Sequence, residues 1–234
     1  MALHFAATPF DPLERSLKER VTRALVRRVV KKGEHLYRAG DSHAGLFWLR
    51  SGVALSYNRR PGRGYEFAAP VYWGLWGAPS ILTKTHNSAL EARTQCVVDW
   101  LSPDATVRLM DEPGFVKLVA KWTADDYSML LRLFSAISVT RSEERLMGYL
   151  TNVYRAGRAN PEAGGAEGPL DLPWPFTTIE LAAFLSISRP HLSTLIGRLN
   201  QEGRMRLSGK RLEVPLDPLE HTEAERNRPL SVGV

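Results

Sequence analysis

Residues 176–214 read "FTTIELAAFLSISRPHLSTLIGRLNQEGRMRLSGKRLEV", and their interpretation decides the fold. The difficulty is Pro190, a helix breaker beside a run whose apolar residues, Leu192, Leu195, Ile196 and Leu199, keep a helical period. The first N–H groups of a helix have no intrahelical acceptor, so a proline costs little there and supplies a helix-ready φ. Pro190 therefore marks a helix start, with Ser188 or Arg189 as the cap, and restrains Arg189 toward extended backbone. Upstream, Thr177 or Thr178 caps a shorter helix carrying Leu181, Ala182, Phe184 and Leu185. Glu180 lies in its first turn, where the macrodipole favours an acid. "SIS" is the turn between the helices, and Gly203 ends the second one after Glu202. The remaining "RMRLSGKRLEV" reads as a β-hairpin turning at Ser208-Gly209. Helix, tight turn, helix and hairpin in that order make a winged helix-turn-helix.

The charge of this segment says what it would meet. Between Thr177 and Arg211 six basic residues stand against two acidic ones. Arg189, His191, Ser193 and Thr194 occupy the first turns of the second helix, where such motifs touch base edges. An arginine there can hold guanine O6 and N7 with two hydrogen bonds. Thr178, Ser188 and Arg198 complete the candidate set on the helices, and Lys210 and Arg211 on the wing are placed to meet phosphates. A helical hairpin with a merely solvated basic face is the alternative; the added hairpin and the charge favour DNA.

Working outward, residues 33 to about 103 change texture. Short stretches such as "GLFWLRSG", "VALSYN", "YEFAAPVYW" and "QCVVDWL" are punctuated by glycine, proline and polar turns, which predicts an all-β sandwich or barrel. Before it, Leu13, Leu17, Val21, Leu25 and Val29 recur at every fourth position, which predicts a helix over 13–30. After it, a long helix is expected over about 112–141. Tyr127, Leu130, Phe134 and Ile137 form its apolar stripe, widened by Met129, Leu131 and Leu133. One strip can pack on the β domain while another meets a second copy of the chain, and the number of apolar faces favours that dimer over a helix packed wholly within its own chain. A further helix is expected from Ser142 to Ala156, then a glycine- and proline-rich connector containing a short strand. The fold class is thus α+β: a β-domain with a long dimerisation helix over 1–140, a winged helix-turn-helix over 141–215, and a flexible tail over 216–234 with too few apolar residues to fold alone.

The 234-residue chain carries a formal charge of +6 and a pI near 9.6, which favours nucleic acid first and an anionic membrane surface second. Cys96 is the only cysteine, so intrachain disulfides and cysteine-held clusters are excluded. The start of the chain has no basic n-region followed by an apolar stretch, and no apolar run is long enough to span a bilayer. A cytoplasmic protein away from membranes is expected. No G-x-S-x-G, H-E-x-x-H or P-loop pattern occurs, so an enzyme is not expected. An adaptor without DNA binding would not need the second, basic domain.

Two stretches in fixed order resemble one known family, that of the cyclic-AMP receptor protein and the fumarate–nitrate reductase regulator. "KGEHLYRAGDSHAGLFWLRSGVALSY" is similar to its β-roll signature, with Gly33, Leu36, Gly40-Asp41, Leu46, Leu49 and Ser51-Gly52 in the family's spacing. "ELAAFLSISRPHLSTLIGRLNQEG" is similar to its recognition element, including Ser188-Arg189 and Glu202-Gly203. The resemblance covers nearly the whole chain. It implies a β-roll effector domain (a cupin-like jelly roll), a dimer, a palindromic site on double-stranded DNA, RNA polymerase as a partner, and an effector that reorients the DNA-binding domains.

Departures from the family pattern are specific. The cyclic-AMP receptor carries a glutamate just after its recognition arginine and a second arginine one turn on; here those places hold Pro190 and Thr194, so only Arg189 carries over. The Gly-Glu pair that holds the ribose is Gly74-Leu75, and the Arg-Ser-Ala that neutralises the cyclic phosphate aligns with Asn87-Ser88-Ala89. A buried phosphate without a cation is expensive, so cyclic AMP is not the expected ligand unless Lys84 or Arg93 rewires the phosphate site. The oxygen-sensing branch needs four cysteines. "VYWGLWGAPSILTKTHNSAL" gathers Trp73, Leu75, Trp76, Ile81, Leu82 and His86 near the family's effector pocket. Either these side chains fill the core, or they hold an apolar or aromatic molecule. The third reading is haem bound through His86, as in the family's carbon-monoxide sensors.

Overall fold

A computed structural model describes residues 8–60, 64–138, 141–158 and 170–214. The expected tail over 216–234 and most of the glycine-rich connector lie outside the described residues. Helix α1 (Arg15–Ala24) buries Leu17 and Val21, as the four-residue repeat predicts. The repeat then misleads. The chain leaves the helix at Leu25, and β1 (Leu25–Val30) is a strand where the sequence predicts helix. Its six residues pair antiparallel with β8 (Cys96–Leu101), from Leu25 opposite Leu101 to Val30 opposite Cys96. Arg27 donates two hydrogen bonds to the buried Asp99, at 2.8 and 3.2 Å. Because β1 is an edge strand, Val26 and Val29 stay exposed and no alternation of burial betrays it. The partner that makes it a strand lies some seventy residues away.

Between these strands run β2 (His35–Tyr37), β3 (Leu46–Ser51), β4 (Ala54–Arg60), β5 (Gly64–Val71), β6 (Gly74–Trp76), α2 (Ala78–Thr83) and β7 (Ala89–Ala92). They form two four-stranded antiparallel sheets, ordered β1-β8-β3-β6 and β2-β7-β4-β5. Phe47, Leu49 and Val98 from the first sheet meet Tyr37, Val71 and Leu90 from the second in one apolar core. This is the expected β-roll. Gly52 makes the turn between β3 and β4 at φ +91°, and a Cβ there would sit 2.4 Å from the Gln95 carbonyl oxygen, so only glycine fits.

Helix α3 (Pro103–Leu109), capped by Ser102, leads into α4 (Pro113–Ile137). Phe115, Leu118 and Val119 of α4 pack on the β-roll beside Leu46, Trp48 and Leu75. The helix stops at Ser138, whose hydroxyl donates to the Phe134 carbonyl at 2.6 Å. Then α5 (Ser142–Arg158) runs two residues past its expected end, followed by β9 (Leu170–Pro173), α6 (Thr178–Leu185), α7 (Arg189–Gln201), β10 (Arg206–Ser208) and β11 (Arg211–Val214). The last sheet is ordered β10-β11-β9.

The core of this second part is continuous with the β-roll. Leu146, Tyr149 and Leu150 of α5 pack with Leu181, Leu185 and Leu195, and also with Val53, Leu55, Ala69 and Tyr72. Two polar links cross the same junction: the Tyr72 hydroxyl donates to the Pro173 carbonyl at 3.1 Å, and Arg93 donates to Glu180 at 3.2 Å. Among the described residues no helix is long and apolar enough to cross a membrane.

Candidate nucleic-acid interface and ligand cavity

Local capping orients both helices of the turn motif. Thr177 is the cap of α6: its hydroxyl accepts from the Glu180 N–H at 3.2 Å, and the Glu180 carboxylate accepts from the Thr177 N–H at 2.8 Å. This reciprocal box satisfies two N–H groups that the helix itself leaves open. Thr178 is then the first helical residue, half-buried. Ser186 closes α6 in the left-handed region, at φ 53°. Ser188 caps α7 by accepting from the His191 N–H at 3.4 Å, with Pro190 in the first turn.

That start fixes which way α7 faces. Leu192, Leu195, Ile196 and Leu199 are buried, so Arg189, His191, Ser193 and Thr194 are exposed. Among the described residues Arg189 makes no ion pair. The Thr194 hydroxyl donates to the Pro190 carbonyl at 3.1 Å, which leaves its oxygen free to accept. Arg198 is exposed and pairs with Glu143 of α5, where Arg204 also arrives at 2.5 Å. Burial would raise the Glu143 pKa, but the two arginines outweigh it and hold the carboxyl below the usual range.

The wing turn lies one residue later than the sequence predicts. Ser208 pairs with Arg211, so Gly209-Lys210 is the two-residue loop, with Gly209 at φ 60°. Lys210 is exposed at the tip, while its carbonyl accepts the Trp174 N–H at 2.7 Å and ties the wing down. Arg211 opens β11 and is exposed.

The expected pocket residues divide. Trp76, His86, Asn87 and Ser88 line a cavity of about 500 Å³ between the β-roll and α4, together with Tyr37, Asp126, Tyr127, Leu130 and Phe134. Trp73 and Leu75 do not. Leu75 is 1% exposed and packs in the core beneath α4. Trp73 tilts against Trp122 with ring centroids 5.9 Å apart, beside a second cavity of about 630 Å³ that Leu75 and Trp76 also line. Gly74 explains the crowding: its φ is +119°, and a Cβ would lie 3.3 Å from the Trp122 ring.

No family model matches the chain. Among curated proteins it is similar to the transcriptional activator FnrA of Stutzerimonas stutzeri, 24% identical over 194 residues, covering 80% of this chain and 75% of that protein. Among solved structures it is similar to FixK2 of Bradyrhizobium japonicum, at 15% identity and TM-score 0.68, over 85% of this chain and 96% of that one. It is also similar to the c-di-GMP-responsive global regulator CLP of Xanthomonas campestris, at 18% identity and TM-score 0.61, over 87% and 99%. The chain is thus similar in sequence to FNR-type regulators and shares the fold of CRP/FNR-type structures. FnrA is named a transcriptional activator and CLP a global regulator.

The cavity differs from a cyclic-nucleotide site in its charge. Of its described lining residues none is lysine or arginine. Lys84 is exposed and does not line it, and Arg93 is committed to Glu91 and Glu180, at 3.6 and 3.2 Å. Neither rewires the phosphate site. The haem reading also fails on geometry. His86 Nε2 accepts the Ala44 N–H at 3.1 Å, and the ring stacks on Tyr37 with centroids 3.7 Å apart. Burial, and then the nearby His43, push its pKa down to about 4. Ligation through Nε2 would leave the Ala44 N–H without its acceptor, so His86 as placed does not fit a haem ligand.

Sequence reading missed two residues. Glu143, the counterion of Arg198, gives no local signal because its partners lie 55 and 61 residues on. Asp126 did give one: Asp126, Leu130 and Phe134 share a helix face at positions i, i+4 and i+8, so an acid interrupts an apolar stripe.

Proposed function

We propose that this protein is a dimeric, cytoplasmic transcription regulator that binds a two-fold symmetric duplex through the first turn of α7 and acts on RNA polymerase there. The observation that carries this reading is Arg189. It stands exposed, with no ion pair among the described residues, at the start of a helix whose cap and proline aim it outward. An arginine so placed reads guanine edges, and Lys210 at the wing tip is positioned for the backbone. Dimerisation is supported by α4, where Tyr127 is 61%, Leu131 49% and Phe134 56% exposed at successive turns. Leu130 is half-buried and Ile137 packs inward on the core, so the dimer stripe shifts toward Leu131. The effector is a molecule other than cyclic AMP, since an uncompensated phosphate in this cavity would lose its hydration for no cation.

Selection from random duplexes with the full chain tests this reading. The expected result is a palindrome whose half-sites lie about one helical turn apart. Phe134→Glu should give monomers that lose the preference for paired half-sites while the single half-site stays readable. Recovery of no preferred duplex, or a monomeric native chain on it, would sink the proposal. Cyclic AMP at millimolar concentration should leave DNA affinity unchanged.

A further inference from the structure

The charge of the cavity under α4 points beyond the exclusion of one ligand. Asp126 is the one carboxylate among its described lining residues, and no lysine or arginine lines it; Asp126 also borders the neighbouring cavity of about 630 Å³, whose lining includes Lys121, Asp125 and Arg132. Its neighbour on the helix, Asp125, is paired with Lys121 at 2.5 Å. Among the described residues no hydrogen bond or ion pair reaches Asp126. Around it stand the rings of Tyr37, Trp76, Tyr127 and Phe134, from three separate elements, and neutral polar groups at Ser56 and Asn58. An acid facing aromatic rings in a partly dry cavity lowers the energy of a positive charge and raises that of a negative one.

We propose that this cavity takes a small organic cation, an amine with an apolar or aromatic body, its ammonium on the Asp126 carboxylate and its body against the rings. The inference rests on the effector reading above and names its chemical class. The cavity volume of about 500 Å³ lies within the range of small-molecule sites. His86 adds no charge, because its imidazole is neutral at physiological pH. The carboxyl of Asp126 is itself pushed up to about 7 by burial and then by the Asp125 carboxylate, the state of an acid that lacks a counterion. A bound ammonium supplies that counterion.

A matched set of probes on the full-length protein tests it: 2-phenylethylamine, 2-phenylethanol and phenylacetate, compared by calorimetry and tryptophan fluorescence. The amine should bind about tenfold or more tighter than the alcohol, and the carboxylate weakest. Asp126→Asn should erase the preference for the amine while leaving alcohol binding within about twofold of native, with an unchanged far-ultraviolet spectrum as the folding control. Tighter binding of phenylacetate, an amine preference that survives in Asp126→Asn, or no saturable binding of any of the three at millimolar concentration would each overturn the proposal. Ligand-free binding of the Arg189-dependent duplex is measured in parallel, so failure here is separable from failure of the DNA-binding reading.

Discussion

Helices α7 and α4 both carry an apolar stripe, yet they use it in opposite ways. In α7 the four apolar residues are all buried, and what remains outside is polar and cationic. In α4 large side chains stay outside at Tyr127, Leu131 and Phe134, while a carboxyl, Asp126, is turned toward a cavity. The first helix is complete within its own chain and offers charge to a polyanion. The second leaves an apolar outer face open, and among the described residues its inner acid has no ion-pair partner. A surface helix that hides its stripe is built to be read from outside, and one that leaves it open is built to be covered.

The sharpest break of this contrast is Arg189→Ala. Specific duplex binding should weaken by about 1–3 kcal/mol with the melting temperature unchanged, because the side chain makes no ion pair among the described residues. Equal affinity for the selected duplex in a competition titration would remove α7 from the reading role. Asp126→Asn probes the other helix through stability. A carboxyl whose folded pKa lies near 7, above its unfolded value, costs the fold stability when ionised. That cost is full above about pH 7, shrinks as the pH falls, and is gone below the unfolded pKa near 4. The variant should therefore be more stable than the native chain at pH 8, on the order of 1 kcal/mol after solvent screening, and equal to it near pH 3.5. Urea melts at the two pH values read the difference; a variant less stable at pH 8 would mean that the carboxylate is already compensated. The smallest effect belongs to Lys210→Ala. Affinity should fall by a similar factor for every sequence, and the slope of log K against log salt should flatten by about one unit. A changed base preference with an unchanged slope would move the wing into a groove.

How much of this was legible depended on distance along the chain. The turn motif lay open because its signals are local: Thr177 with Glu180, Ser188 with Pro190, and a leucine period within one helix. Strand punctuation between Gly33 and Pro103 was equally readable, and two sheets formed there. The four-residue repeat from Leu13 to Val29 was a false signal in its second half, since Leu25–Val30 became a strand only through pairing with Cys96–Leu101. Arg198 is the surface cation it looked like, but only the fold of α5 brought Glu143 to it.

The sequence by itself determined where helices start, which face of α7 turns inward, and that Arg189 opens it, because caps and periodicity act within a few residues. Only the tertiary structure decided that Leu75 and Trp73 belong to packing while Trp76, His86 and Asp126 share one cavity. A cavity has no local code: its walls come from β2, β4, β6, α2, the segment before β7, and α4. Its charge is whatever those distant segments bring, and here they bring an acid and no base among the described residues.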